Sequence, residues 1–414
     1  MNTRYITPES DEASKRRALL AVFLTIFVSL VGFGIVIPLL PFYAKKFQAS
    51  ELQIGLLFAS FSAAQLLASP ILGDWSDRFG RRPVLILSLL GSAASFVMLA
   101  LAPNLLWLFL SRILDGFTGG NITTARAYIA DISPPEKRAK NFGLIGAAFG
   151  LGFILGPALG GGLAHFGLAV PAWTAAGISL LAAGYALFAL PETAHLTPAK
   201  RPSPWREMPA TLTRSPAARL LWVNFILWVG FSIYQTTFPL FAAIRFNLGP
   251  QEIGYVLAVV GVVGAVSQVA LVGRVVHALG EKSTLLLGVL LNIVGLTGAA
   301  FTHSLGLFYL LVGVATVGGS IGLPSLTSLI SQSASAAEQG RIQGVSGSLE
   351  SLARIVAPIW GNGALKYSDA LPYASAAGLL LFAAVIALGL RPAVQKPLCH
   401  SERSEESRPL KTDR

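Results

Sequence analysis

Twelve mostly apolar runs, each close to the roughly 20 residues that a helix needs to cross a bilayer, divide this chain at near-regular intervals. They fall at 18–40, 51–73, 83–102, 105–130, 140–163, 168–190, 217–241, 251–273, 283–302, 305–330, 341–365 and 371–390. Only 12% of the 414 residues are charged and 53% are hydrophobic, where a soluble domain carries about 25% charge. The expected fold is an all-α polytopic membrane protein with 12 transmembrane helices. The first run continues well past the length of a signal-peptide core, which predicts an uncleaved first span.

The formal net charge is +11, yet the basic residues lie in the loops between runs and not on one domain. Membrane lipid, not nucleic acid, is therefore the expected partner. Of the 31 lysines and arginines, only Lys45, Lys46, Arg245 and Lys366 occupy loops on the side opposite the termini, with Arg112, Arg126 and Arg354 inside spans. The positive-inside rule then puts both termini in the cytoplasm. Cys399 is the one cysteine and lies in the polar tail, so no internal disulfide framework is expected. The histidines are scattered, with no metal-ligand or paired-acid spacing, so no metal, no cofactor and no enzyme active site are expected.

The stretch 192–216 is rich in proline and basic residues and reads as a linker. It separates an N-terminal six-helix bundle (18–191) from a second one (217–391), flanked by a cytoplasmic N-tail (1–17) and a disordered cytoplasmic C-tail (392–414). The bundles are pseudo-repeats. Gly73, Gly80, Arg82 and Leu85 recur as Gly273, Gly280, Lys282 and Leu285, and Pro157, Gly160 and Gly162 recur as Pro358, Gly361 and Gly363. Repeated halves with a site between them near the bilayer midplane are typical of secondary transporters.

Between the second and third runs stands Gly73-Asp74-Trp75-Ser76-Asp77-Arg78-Phe79-Gly80-Arg81-Arg82, read as a short, tightly turned cationic loop. Its G-x-x-x-D-R-x-G-R-R spacing resembles the signature loop of the major facilitator superfamily of transporters. The resemblance implies a gate: Asp77 would face the N-terminal end of span 11, where the helix dipole favours an anion, and Arg81 would pair with Asp131. The plainer reading is a set of solvated headgroup contacts that anchor topology. In the second repeat His277 and Glu281 replace Asp77 and Arg81, which favours a specific role for the first copy.

Span 4 carries Arg112-Ile-Leu-Asp115-Gly116, similar to the superfamily's intramembrane arginine motif except that Asp115 stands at a usually neutral position. Ionised groups at mid-bilayer cost at least about 2.5–3.5 kcal/mol and normally face a wet cavity or a partner. Arg112 and Asp115, three apart, share a helix face. The other embedded carboxylate is Glu350 in span 11, with Arg354 one turn on. Either acid is a candidate proton carrier, and either pair is alternatively a static salt bridge.

Span 5 holds Gly143, Gly152, Gly156-Pro157 and Gly160-Gly161, matching the G-x8-G-x3-G-P-x2-G-G pattern that the superfamily associates with drug/proton antiporters. Gly152, Gly156 and Gly160 form a stripe that permits close helix approach, and Pro157 bends its helix. Asn121 in span 4 and Asn224, Trp228, Tyr234 and Gln235 in span 7 suit an amphipathic substrate, and equally suit packing. Span 1 (Gly32-Phe33-Gly34 to Pro38 and Pro41) resembles the tetracycline-type branch, with Ser29 where that branch commonly has an acid. Together these imply a multidrug-efflux-like antiporter, an antibiotic-resistance type of protein in a bacterial plasma membrane. It would export small amphipathic compounds in exchange for protons, driven by the proton gradient and complete as a monomer. The alternative is a same-fold carrier of a sugar or organic acid.

Overall fold

The computed structural model describes residues 6, 10–193, 204–215, 217–334 and 338–390; the expected C-tail lies outside them. The N-terminal half comprises α1 (Glu12–Lys46), α2 (Glu51–Phe79), α3 (Arg81–Ala100), α4 (Leu105–Thr118), α5 (Ile122–Ile132), α6 (Pro135–Ala164) and α7 (Ala169–Ala189). A linker helix, α8 (Pro204–Arg214), precedes the second half: α9 (Ala218–Phe246), α10 (Pro250–Ala270), α11 (Val272–Leu279), α12 (Glu281–Phe301), α13 (Leu305–Gln332), α14 (Gln339–Ala364) and α15 (Leu371–Leu388).

Ten of these helices are long and apolar enough to cross a membrane. The two remaining expected spans fall short for different reasons. α14 carries Arg341, Glu350 and Arg354. Span 4 is not one helix: it breaks at Gly119-Gly120-Asn121 into α4 and α5. Adjacent glycines weaken a helix by about 1 kcal/mol each relative to alanine. The Gly119 carbonyl freed there accepts from Gln65 Nε2 at 3.1 Å, as a backbone group in lipid requires.

Two further expectations need correcting. The 73–82 stretch is no open loop: α2 stays helical to Phe79 and α3 begins at Arg81. Gly80 alone makes the turn, at φ +104°, a backbone conformation that favours glycine. Gly280, at φ +77°, makes the equivalent turn between α11 and α12. The first span likewise starts earlier than expected, at Glu12 behind an Asp11 cap. Within the 192–216 linker, α8 packs Met208 and Leu212 against the core of the second half.

The halves meet asymmetrically. At the end opposite the start of α1, here the far end, one apolar cluster joins Val31, Ile35, Leu39, Tyr43 and Phe58 to Leu240 and Leu365 of the other half. There α2 packs on α14 and α6 on α10. A Cβ added at Gly55 would stand 3.0 Å from the Pro358 carbonyl carbon, and one at Gly161 2.7 Å from Gly254 Cα. At the terminal end the core around Val22, Ile26, Leu85, Tyr128 and Ile145 draws only on the N-terminal half. A Cβ at Gly73, Gly143, Gly273 or Gly347 would meet nothing within 4 Å. Among the described residues, the close backbone contacts between the halves gather at the far end, and these terminal-end glycines have free space beside them.

Candidate functional site

Beneath the far-end seal lies a cavity shared by both halves. Its N-terminal wall is Phe33, Val36, Ile37 and Leu40 of α1, Phe58, Phe61 and Ser62 of α2, and Arg112 of α4. The opposite wall is Ser232, Gln235 and Thr236 of α9 with Arg354 and Pro358 of α14. Most of these residues lie near the middle of their helices, so the cavity sits at the depth expected of a site between repeats.

The charges around it are disposed unequally. Arg112, with a side chain 2% exposed, donates from Nη1 to Asp115 Oδ2 at 3.1 Å. Its guanidinium also lies 5.8 Å from the Phe96 ring centroid. Asp115 faces inward, toward Ser92 and Ser95 of α3, while Arg112 lines the cavity. Glu350 and Arg354 form no ion pair, although one helical turn separates them. Glu350 Oε1 instead accepts from Ser346 Oγ at 3.4 Å, and Ser346 accepts from Asn224 Nδ2 at 3.1 Å. Arg354 turns its guanidinium to the Trp228 ring, 5.6 Å from the centroid. Of the residues expected to line a substrate site, only Gln235 does so directly. Tyr234 is buried against Phe238 and Tyr373. Asn121 is buried and donates to Ser29 Oγ at 3.1 Å, so a neutral amide–hydroxyl contact occupies the place of the branch's usual acid. The aromatic wall of Phe33, Phe58 and Phe61 was not anticipated: nothing in a periodic apolar run separates a cavity phenylalanine from one facing lipid.

At the terminal end Arg81 is the hub of a cluster. It pairs with Asp77, reaches Asp131 Oδ2 from Nε at 3.2 Å and donates to Ser76 Oγ at 2.7 Å. The Arg81–Asp131 contact is the one the resemblance implies. Asp77 itself pairs with Arg81 among the described residues. Glu192, placed in the linker by sequence, instead caps α3. Its carboxylate accepts from Arg81 N at 2.9 Å and Arg82 N at 3.2 Å. It fills the space beside Gly80 that a Cβ would need. Thr193 Oγ1 donates to Asp131 Oδ2 at 3.2 Å, and Arg82 Nη2 to Leu187 O at 2.6 Å. Among the described residues Arg78 makes an exposed pair with Asp74 at 3.0 Å, worth about 1 kcal/mol or less.

The α6 glycines divide between two partners. Gly152, Gly156 and Gly160 seat on α1, with added Cβ atoms 2.7 Å from Leu30 Cβ, Gly34 Cα and Ile35 O respectively. Gly161 seats on α10 of the other half. Gly143 touches neither. Pro157, whose missing N–H loosens the ladder, puts its carbonyl 2.6 Å from where a Gly254 Cβ would lie.

Two pseudo-repeated helical halves around a shared cavity near mid-helix, packed together beyond it at the far end, define a multi-pass membrane transporter of the secondary type. The Major Facilitator Superfamily model matches residues 22–358 and 246–410, and the chain belongs to that superfamily. It is 34% identical to the class C tetracycline resistance protein of Escherichia coli, over 83% of this chain and 88% of that one. It is 32% identical to multidrug resistance protein 2 of Bacillus subtilis, over 88% and 92%. Among solved structures it resembles the human organic anion transporter MFSD10, with TM-score 0.69 and 26% identity over 90% of this chain and 99% of that one. The nucleoside transporter NupG shares the fold at TM-score 0.76 and 14% identity, over 90% and 99%.

Proposed function

We propose that this transporter is a proton-driven exporter of small amphipathic compounds, set in a bacterial plasma membrane with both termini cytoplasmic. On that reading the terminal end faces the cytoplasm, and the structure is the form that loads substrate. The observation that carries the proposal is the Arg112–Asp115 pair: one partner lines the cavity and the other is a carboxylate enclosed behind it. A compound filling the cavity beside the already buried Arg112 leaves Asp115 as its counter-charge, which favours the ionised acid and release of its proton. Reprotonation from outside then frees the substrate. Membrane potential adds about 2.3 kcal/mol per 100 mV for each net charge moved. The α6 glycine pattern and the similarity to tetracycline and multidrug resistance proteins support export over uptake. The relatives' names span drugs, organic anions and nucleosides, so they select no substrate.

The test is reconstitution of the purified protein into liposomes under an imposed pH gradient, with a panel of amphipathic compounds. Transport of a compound against its gradient, with matching proton movement, is expected. Accumulation that ignores the pH gradient overturns the proton-driven reading.

On the same reading the Arg81 cluster holds the cytoplasmic gate. Closing that end would bring the start of α14 to Asp77. Arg81→Ala is expected to slow transport by about tenfold or more, or about 1.4 kcal/mol at the limiting step, with substrate binding retained. Wild-type rates in the variant would leave the cluster as a topology anchor alone.

A further inference from the structure

We infer that the cavity takes substrates bearing a negative charge, held by Arg354; the inference rests on reading this cavity as the substrate site. The two arginines that line it are not equivalent. Arg112 has its counter-charge in Asp115, 3.1 Å away. Among the described residues Arg354 has no carboxylate within ion-pair distance, and the nearest on its own helix, Glu350, is engaged by Ser346. Arg354 Nε is buried without a hydrogen-bond partner among the described residues, as are Arg112 Nε and Nη2, so it is the missing counter-charge that sets Arg354 apart. A guanidinium in that condition is costly unless something answers it. Its five N–H donors in a planar fork match a carboxylate or sulfonate two bonds at a time.

The surroundings supply the rest of the ligand's description. Trp228 backs the guanidinium, its ring centroid 5.6 Å away. Across the cavity stand Phe33, Phe58 and Phe61, an apolar aromatic wall, while Gln235 and Thr236 offer hydrogen bonds beside the charge. An aromatic ring with one acidic substituent fits this arrangement: ring on the N-terminal half, anion on the C-terminal half. Such a ligand bridges both halves without competing with Asp115 for Arg112.

The experiment uses full-length protein purified in detergent, with no gradient, near neutral pH where a carboxylic acid is ionised. Binding of 2-naphthoate and of its neutral near-isostere 2-naphthamide is compared by isothermal titration calorimetry. Wild-type protein is expected to bind the naphthoate about tenfold or more tightly than the amide. Arg354→Gln should bring the two within about twofold, with gel filtration and circular dichroism showing that the variant is folded. Arg354→Lys, which keeps the charge and loses the fork, should retain part of the preference. Equal binding of the two probes, no binding of either, or a preference that survives Arg354→Gln overturns the inference. Proton-driven efflux of neutral compounds with no anion preference defeats the inference alone. An Arg354-dependent preference without proton-driven efflux defeats the export mechanism alone.

Discussion

Gly161→Leu is expected to unseal the far end of the bundle and shift the protein toward the opposite-facing state. A Cβ at this position would stand 2.7 Å from Gly254 Cα and 2.9 Å from Gln251 O. Both obstacles are backbone, so no side chain can swing aside. The clash lies between α6 and α10, in different halves, and the halves relieve it by separating there. Gly156→Leu makes the contrast. Its Cβ meets Gly34 Cα at 2.7 Å and Val31 O at 2.8 Å, inside one half, where relief means disrupting the fold. Thus Gly156→Leu should lower the yield of folded protein, whereas Gly161→Leu should leave it folded and change its access. Ser62→Cys, on the cavity wall, reports this in a background where Cys399 is replaced. Labelling by an impermeant maleimide from the far side should rise about tenfold, the response to a shift of about 1.4 kcal/mol. Unchanged labelling in folded Gly161→Leu protein would show that this contact does not hold the seal.

Asp115→Asn is expected to remove proton-driven efflux by about a hundredfold or more, about 2.7 kcal/mol in the limiting step, with substrate binding kept. The amide oxygen can still accept from Arg112, but the group neither takes up nor releases a proton. Removing one partner of a buried ion pair costs about 3–5 kcal/mol, so thermal stability must be read beside transport. The double variant Arg112→Gln with Asp115→Asn should recover much of that stability and none of the coupling. Glu350→Gln is the paired control. Glu350 borders the cleft within electrostatic reach of Arg126, and its replacement should leave pH-gradient-driven efflux largely intact. The reverse pattern, with Asp115→Asn driven and Glu350→Gln not, transfers the proton to Glu350.

The helical architecture was legible because a bilayer imposes a length on every span, and apolar runs of that length are hard to mistake. Even α14, with Glu350 and Arg354 in its length, stood among the twelve runs. The contacts that depend on spacing along one helix, such as Arg112 with Asp115, follow from the 3.6-residue turn. Other features had no local signature. The Gly119-Gly120 break reads, in sequence, as one more pair of packing glycines. Asp77 pairs with Arg81 across a turn that reads, in sequence, as an open loop. Glu192 looked like linker because its role as the α3 cap is set by a fold contact more than 100 positions away. The cavity phenylalanines share their composition with the lipid face and differ only in what stands opposite.

The polarity of α14 also bears on how the protein is made. Each ionised group at the centre of a helix costs roughly 2.5–3.5 kcal/mol on insertion scales, and α14 carries Glu350 and Arg354 deep in its length. Its neighbours offer what lipid cannot: Asn224 and Trp228 of α9 meet these residues through Ser346 and the arginine face, and α2 supplies a packed surface from the other half. The segment is therefore a poor independent passenger through the insertion machinery. It should enter the bilayer only once α9 is already there to receive it, so a chain synthesised without α9 should leave α14 stranded outside the membrane.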